Sequence, residues 1–482
     1  MKKLIIASFS VIVVFAGIAA GQTTETAASQ TKGKNPVIII PGVSGSKLVN
    51  SKTNKTVWFS VRRDKSDDLR LPMTSPVLAR NRDSLRADDI IRTIGVLPIL
   101  PDIEVYQTLL DALKKRGYTE AQWDRPQAAD VFYVFPYDWR RDNVETAHLL
   151  MTRMAAAKRQ LRRPDVKFDI IAHSMGGLVA RYAAMYGTSQ PSANRPVPNW
   201  SGAAHINKLM MFGTPNEGSY SAMDALLNGY PIIANRRLPL IDDLKPEDLM
   251  TTPATYQLLP HQASGRILDE NLKPLNVDLY NVDNWIKYGW GPIADPKFLS
   301  KLRDARRLSL TNKDIKPKRP GPKDSPEERL IAGLTFAQVR AFMASALNRA
   351  RQFHRALNVP AKDPPVEMYA YGGNCDQTLD AIVLIKEAEK DRWTTLLDAK
   401  DIKTSAGVEL KKDVVRTAMF SDGDGRVTKR SLLAEGNGTE LAGAMSLKLS
   451  FFACGKHTKL FLEEPIQDSF LSALVVEKHQ QP

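Results

Sequence analysis

Cysteine is scarce in this chain, with two in 482 residues, Cys375 and Cys454. No metal-ligand cluster, no internal repeat and no glycine-rich phosphate loop occurs, so the residues imply no cofactor. After residue 20 no run approaches the roughly 20 apolar residues that span a bilayer. Negative charge is also in short supply: 53 acidic residues face 67 lysines and arginines, a formal charge of +14. A basic exported chain is drawn to anionic lipid surfaces or acidic envelope polymers. Nucleic acid is excluded as a partner, because the densest basic cluster, residues 313–323, contains prolines and a glycine but no aromatic. No obligate protein partner is implied.

The start of the chain reads as an export signal. Lys2 and Lys3 precede an apolar run from Leu4 to Ala20, and Ala19, Ala20 and Gly21 offer small residues for cleavage. No cysteine stands there to carry a lipid anchor. The expectation is a protein that is periplasmic or secreted and does not span a membrane.

The densest signal lies at Ser174. Phe168, Asp169, Ile170, Ile171 and Ala172 form a short apolar run that enters His173-Ser174-Met175-Gly176-Gly177, followed by a helical pattern through Leu178, Tyr182 and Met185. Strand, sharp turn and helix around a small-x-Ser-x-Gly corner make a nucleophile elbow, the mark of an α/β-hydrolase. A serine needs a histidine base and a carboxylate to act as a nucleophile, and this fold orders them Ser, acid, His. Of the seven histidines, His148 and His173 precede the serine and His205 lies before the next strand. His261 and His354 fall where no strand pattern would present a base, and His479 is three residues from the end. His457 remains, between an alternating strand pattern (residues 446–452) and a helical one (Ile466, Phe470, Leu471, Leu474). For the acid, residues 414–420 read as a strand leading into Ser421-Asp422-Gly423-Asp424-Gly425. Asp424 is the choice and Asp422 the fallback. Oxyanion donors are expected from the N–H groups of Met175 and of Val43 or Ser44, where the apolar strand at residues 37–40 ends in Pro41-Gly42.

Cys375 and Cys454 each follow an expected strand near the same sheet edge. In an oxidising compartment a disulfide between them is favoured, with two buried free thiols as the alternative.

Several pieces together resemble the lecithin:cholesterol acyltransferase family and its phospholipase A relatives. They are Pro41-Gly42-x-x-Gly45-Ser46, Trp58, Pro136-Tyr137-Asp138-Trp139-Arg140, Ala172-His173-Ser174-Met175-Gly176-Gly177, Gly423-Asp424-Gly425-x-Val427 and His457. The resemblance implies Ser174 as nucleophile, Asp424 as acid, His457 as base, and Val43, Ser44 and Met175 at the oxyanion. The family's cysteine pair near Trp58 is missing, and Arg426 stands where the family usually has a small hydroxyl residue.

The expected architecture is an α/β-hydrolase fold with a mostly parallel sheet flanked by helices and a large inserted cap. Its parts are a signal peptide (1–21), a linker (22–34), two core segments (35–219 and 366–477), the cap (220–365) and a tail (478–482). Within the cap, Ser325-Pro326-Glu327-Glu328 reads as a helix start, residues 335–357 read as helical, and aromatics are abundant. The expected activity is on phospholipid-like acyl esters at a lipid surface, as hydrolase or O-acyltransferase. A broad lipase or carboxylesterase, and an inactive lipid-binding protein on the same fold, are the competing readings.

Overall fold

The computed structural model describes residues 33–60, 68–94, 103–192, 196–231, 243–261, 266–302, 334–360, 363–387, 392–435 and 445–475. The expected signal peptide, the basic cluster at 313–323, the expected helix start at Ser325 and His479 lie outside the described residues. The described residues from Lys34 onward form one compact unit.

Seven strands build the central sheet: β1 (Val37–Ile40), β2 (Thr119–Glu120), β3 (Val131–Val134), β4 (Phe168–His173), β5 (Ile206–Phe212), β6 (Glu367–Gly373) and β7 (Leu447–Ala453). Their spatial order is β7-β6-β5-β4-β1-β3-β2, with every neighbouring pair parallel. Parallel strands need crossovers, so helices cover both faces and the inner strands are apolar on both sides. The alternation is visible residue by residue. Ile38, Ile40, Ile170 and Ala172 pack on one face with α2 (Asn143–Leu161) and α3 (Met175–Tyr186). Val37, Ile39 and Ile171 pack on the other with α1 (Gln107–Lys115) and α6 (Glu464–Val475). Each large apolar side chain so buried contributes about 1.5–3 kcal/mol.

Register decides where chemistry can occur. Ile40 pairs with Ala172, Phe212 with His173 and with Tyr371, and Gly373 with Ala453. The C-terminal ends of β1, β4, β5, β6 and β7 therefore share one edge. Open α/β sheets place ligands at that edge.

The two longest described helices between β5 and β6 are α4 (Tyr220–Asn228) and α5 (Phe336–Leu357). Helix α4 is capped by Ser219, and α5 starts at a Thr335/Gln338 capping box. Helix α5 buries Val339, Phe342, Met343, Ala346, Leu347, Ala350 and Phe353, a continuous stripe at helical spacing. Its last carbonyls are satisfied from α3, Leu357 by Arg181 and Ala356 by Tyr186. Trp285, Trp290, Tyr256, Tyr280 and Tyr288 join the same hydrophobic cluster as α2 and α3. Arg266–Leu268 pairs with Ala381–Glu387, a strand that comes after β6. The described part of 220–365 thus shares both core and sheet with residues outside it.

One expected strand is a helix. Residues 412–419 form Lys412–Met419, with Val415 and Met419 buried one turn apart and Val414 exposed. Two adjacent valines favour a strand locally, but the i, i+4 pair meets a core of Val383, Leu396 and Ile402, and that packing prevails. Among the described residues no helix is long and apolar enough to cross a membrane.

Candidate active site

Ser174 sits between β4 and α3 with φ +53° and ψ −125°, strained for a residue with a Cβ. The turn is held by the Ser174 N–H donating to the Phe212 carbonyl at 2.7 Å. It closes only because Gly176 has no side chain: a Cβ there would lie 2.6 Å from the Pro41 oxygen. The strain is what lifts Oγ out of the sheet edge.

His457 opens a short 3-10 turn after β7, and its Nε2 lies 3.0 Å from Ser174 Oγ. Its Nδ1 lies 2.8 Å from Asp424 Oδ2. The carboxylate can only accept, so Nδ1 carries the proton and Nε2 is left to receive one from the serine. The His457 N–H also donates to the Asp424 carbonyl at 2.9 Å. The other carboxylate oxygen, Oδ1, accepts from the Arg426 and Val427 N–H groups at 3.0 and 2.8 Å. All three side chains are buried, Asp424 most deeply. Asp422 is exposed and its carboxylate meets the Gln377 amide instead.

Asp424 arrives by an unexpected route. No strand of the central sheet leads directly into it. Phe420–Gly423 pairs antiparallel with Asp376–Leu379, in a separate two-stranded ribbon beyond β6. Cys375, just past the end of β6, is disulfide-bonded to Cys454, just past the end of β7, with Cα atoms 5.0 Å apart.

Val43 and Ser44 line the same cleft as Ser174 and His457. Met175 is the first residue of α3, so its N–H has no acceptor within the helix. The loop that carries Val43 and Ser44 is braced by the Pro-Tyr-Asp-Trp-Arg string. Tyr137 donates its hydroxyl to the Pro41 carbonyl at 2.9 Å. Trp139 packs edge-on against Trp58, whose indole N–H donates to the Ser44 carbonyl at 2.7 Å. Arg140 is fully buried between the carboxylates of Asp83 and Asp138. A buried charge survives only when so paired.

Two features escaped sequence reasoning. Tyr106 accepts from the Gly42 N–H at 2.8 Å and stands 2.9 Å from His173 Nδ1, while His173 Nε2 lies 3.0 Å from the His457 carbonyl. Excluded as a base by chain order, His173 instead bridges the loop after β1 to the residue that carries the imidazole. Nothing local marks Tyr106 for this part. Gly213, at φ +55°, lies beneath the acid and base, and a Cβ there would stand 2.9 Å from both Asp424 Oδ2 and His457 Nδ1. The string Phe212-Gly213-Thr214-Pro215 after an apolar strand was the available signal.

Burial also sets a pH limit on the fold. It lowers the pKa of His173 to about 3, helped by neighbouring His457, and that of His354 to about 3 and of His261 to about 4. Burial raises Asp169 to about 6. At pH 5 unfolding lets three histidines take up protons and makes Asp169 release one, a net uptake of about two. Stability contributed by the histidines is whole above about pH 6.5 and is lost as pH falls toward 4; Asp169 opposes it. These four groups should give a slope near 3 kcal/mol per pH unit around pH 5. Urea midpoints measured from pH 7 to 4.5 check this, and a flat series would refute it.

The sheet order, crossovers and elbow define an α/β-hydrolase. Residues 84–311 match the family model described as lecithin:cholesterol acyltransferase. The chain is thus an α/β-hydrolase with a segment similar to that family, which supports a lipid-ester hydrolase or acyltransferase. The match includes the Pro136 string and Ser174 and stops before Asp424 and His457. Among solved structures, the chain is similar to the Tle4–Tli4 complex, at 15% identity over 91% of this chain and 97% of that one, with TM-score 0.47. It is also similar to the mature Bacillus licheniformis lipase BlEst2, at 10% identity over 92% and 94% of the two chains, with TM-score 0.33. No curated protein matches it by sequence.

Proposed function

We propose that the chain cleaves acyl esters of phospholipid-like substrates through an acyl-enzyme on Ser174. The observation that carries this reading is the hydrogen-bonded row Ser174–His457–Asp424 at the wall of a cleft. The rest of that wall is mainly apolar, with Pro215, Ala222, Ala225, Leu244, Leu249 and Leu258, a surface suited to an acyl chain.

As Ser174 Oγ attacks the ester carbonyl, His457 Nε2 takes its proton and Asp424 stabilises the imidazolium. Negative charge gathers on the former carbonyl oxygen, where the N–H groups of Met175 and of Val43 or Ser44 receive it. His457 then returns the proton to the departing alcohol oxygen as the carbon–oxygen bond breaks. Water, or a second alcohol, repeats the sequence on the acyl-enzyme. The basic composition, and a cleft lining without acidic side chains among the described residues, favour an anionic lipid surface as the place of work.

Incubation with labelled phosphatidylglycerol vesicles, with and without a long-chain alcohol, tests the reading. Release of lysolipid is expected, with fatty acid as the product if water is the acceptor and a new ester if the alcohol is. Activity on these vesicles should fall as salt is raised, while turnover of a soluble short-chain ester should barely change. Equal rates on both substrates with no salt effect would support the carboxylesterase reading. Failure of a fluorophosphonate to label Ser174 would support the inactive one.

A further inference from the structure

The cleft holds one charged side chain that the mechanism above does not use. Among the described residues, Arg426 lines it beside Ser174 and His457, and no aspartate or glutamate does. The backbone of Arg426 is fixed on both sides. Its N–H donates to Asp424 Oδ1, and its carbonyl accepts from the Ser219 and Ser221 hydroxyls. The guanidinium carbon lies over the Tyr230 ring, 4.4 Å from the centroid. Among the described residues no carboxylate pairs with it. The acidic groups nearby are engaged elsewhere: Asp424 holds His457, while Glu217 and Asp380 hold Arg430.

We infer that Arg426, seated on Tyr230, binds the phosphodiester of a glycerophospholipid while its ester lies at Ser174. This rests on the proposed phospholipid substrate and assigns what in the cleft distinguishes it from a neutral glyceride. The ring partners the cation through its π face and leaves guanidinium N–H groups to donate, the fork that matches two phosphate oxygens. An apolar wall around an unpaired cation strengthens its attraction for an anion. Chemistry of the substrate agrees, since in a glycerophospholipid the phosphate and the scissile ester hang on one glycerol unit. Arg426 is also tied through its own N–H to the acid of the row, so a bound phosphate and the catalytic groups would share one rigid loop.

The test compares phosphatidylcholine with diacylglycerol of the same acyl chains, in the same micelles of neutral detergent. Phosphatidylcholine has no net charge, which removes attraction to the surface as a whole and leaves recognition of the phosphate. Arg426→Gln should lower the ratio of kcat/KM on phosphatidylcholine to that on diacylglycerol by roughly 10- to 100-fold. Arg426→Lys should lower it less. Tyr230→Ala, which leaves the hydrogen bonds of the acid loop in place, should shift the ratio in the same direction. As a binding readout, hexadecyl phosphate should inhibit the wild type better than hexadecanol, and Arg426→Gln should erase the difference. An unchanged ratio in both Arg426→Gln and Tyr230→Ala would overturn the inference and leave phospholipid cleavage standing. So would an equal fall on both lipids, which would make Arg426 only a support for Asp424. Wild-type turnover of diacylglycerol with none of phosphatidylcholine would overturn both this inference and the phospholipid reading.

Discussion

Ser174→Ala is expected to lower kcat/KM by roughly 10⁴- to 10⁶-fold, and His457→Ala by a similar factor. Combining them should cost little more, because proton transfer and attack are one event and neither residue accelerates it alone. Asp424→Asn should cost about 10⁴-fold by a different route. An amide can donate to Nδ1, so the imidazole would hold its proton on Nε2, facing the serine it must deprotonate. Steady-state kinetics on a soluble chromogenic ester isolate this chemistry from any lipid-surface effect. Near-normal turnover by Asp424→Asn, with loss in Asp422→Asn, would show that the wrong carboxylate had been assigned.

Gly213→Ala carries the second large effect, and it comes from one methyl group. The position has φ +55°, and the new Cβ would press on Asp424 Oδ2 and His457 Nδ1 at 2.9 Å, inside their van der Waals contact. Backbone strain in the left-handed region costs about 1–2 kcal/mol, which the fold can bear. Displacing the acid–base pair matters more, since misplacement by about 1 Å is worth roughly 100-fold in rate. We expect kcat to fall about 100-fold or more with a cooperative thermal unfolding transition retained. Slower labelling of Ser174 by a fluorophosphonate should accompany the loss. Full activity in Gly213→Ala would mean that the pair can shift without penalty.

Legibility in the sequence follows the range of the interactions. The elbow could be read because strand, corner and helix are contiguous, and each residue type answers to a local constraint. His457 could be reached by counting histidines against strand order. Asp424 was harder. The sequence offers two carboxylates among glycines, and only the ribon-like pairing of Phe420–Gly423 with Asp376–Leu379 turns one inward and leaves the other in solvent. The helix at Lys412–Met419 was misread because adjacent valines speak for a strand until the core that receives Val415 is known. The meeting of Arg426 with Tyr230, and of Tyr106 with His173, joins segments far apart in the chain. Neither has a pattern in the sequence to announce it. The aromatics between β5 and β6 could be counted but not placed. Most are core, and of Tyr220, Tyr230, Tyr256, Tyr280, Tyr288, Trp285 and Trp290 only Tyr230 reaches the cleft.

The bond between Cys375 and Cys454 gives the chain a covalent ring. Its two anchors are 79 residues apart in sequence, and Asp424 lies on the ring while His457 lies three residues outside it. Closing a loop of that length removes about 4–5 kcal/mol of unfolded-chain entropy on a chain-entropy account. The ring thus makes Asp424 and His457 near neighbours before the intervening ribbon and helices have packed. Thiol reduction leaves that meeting to packing alone.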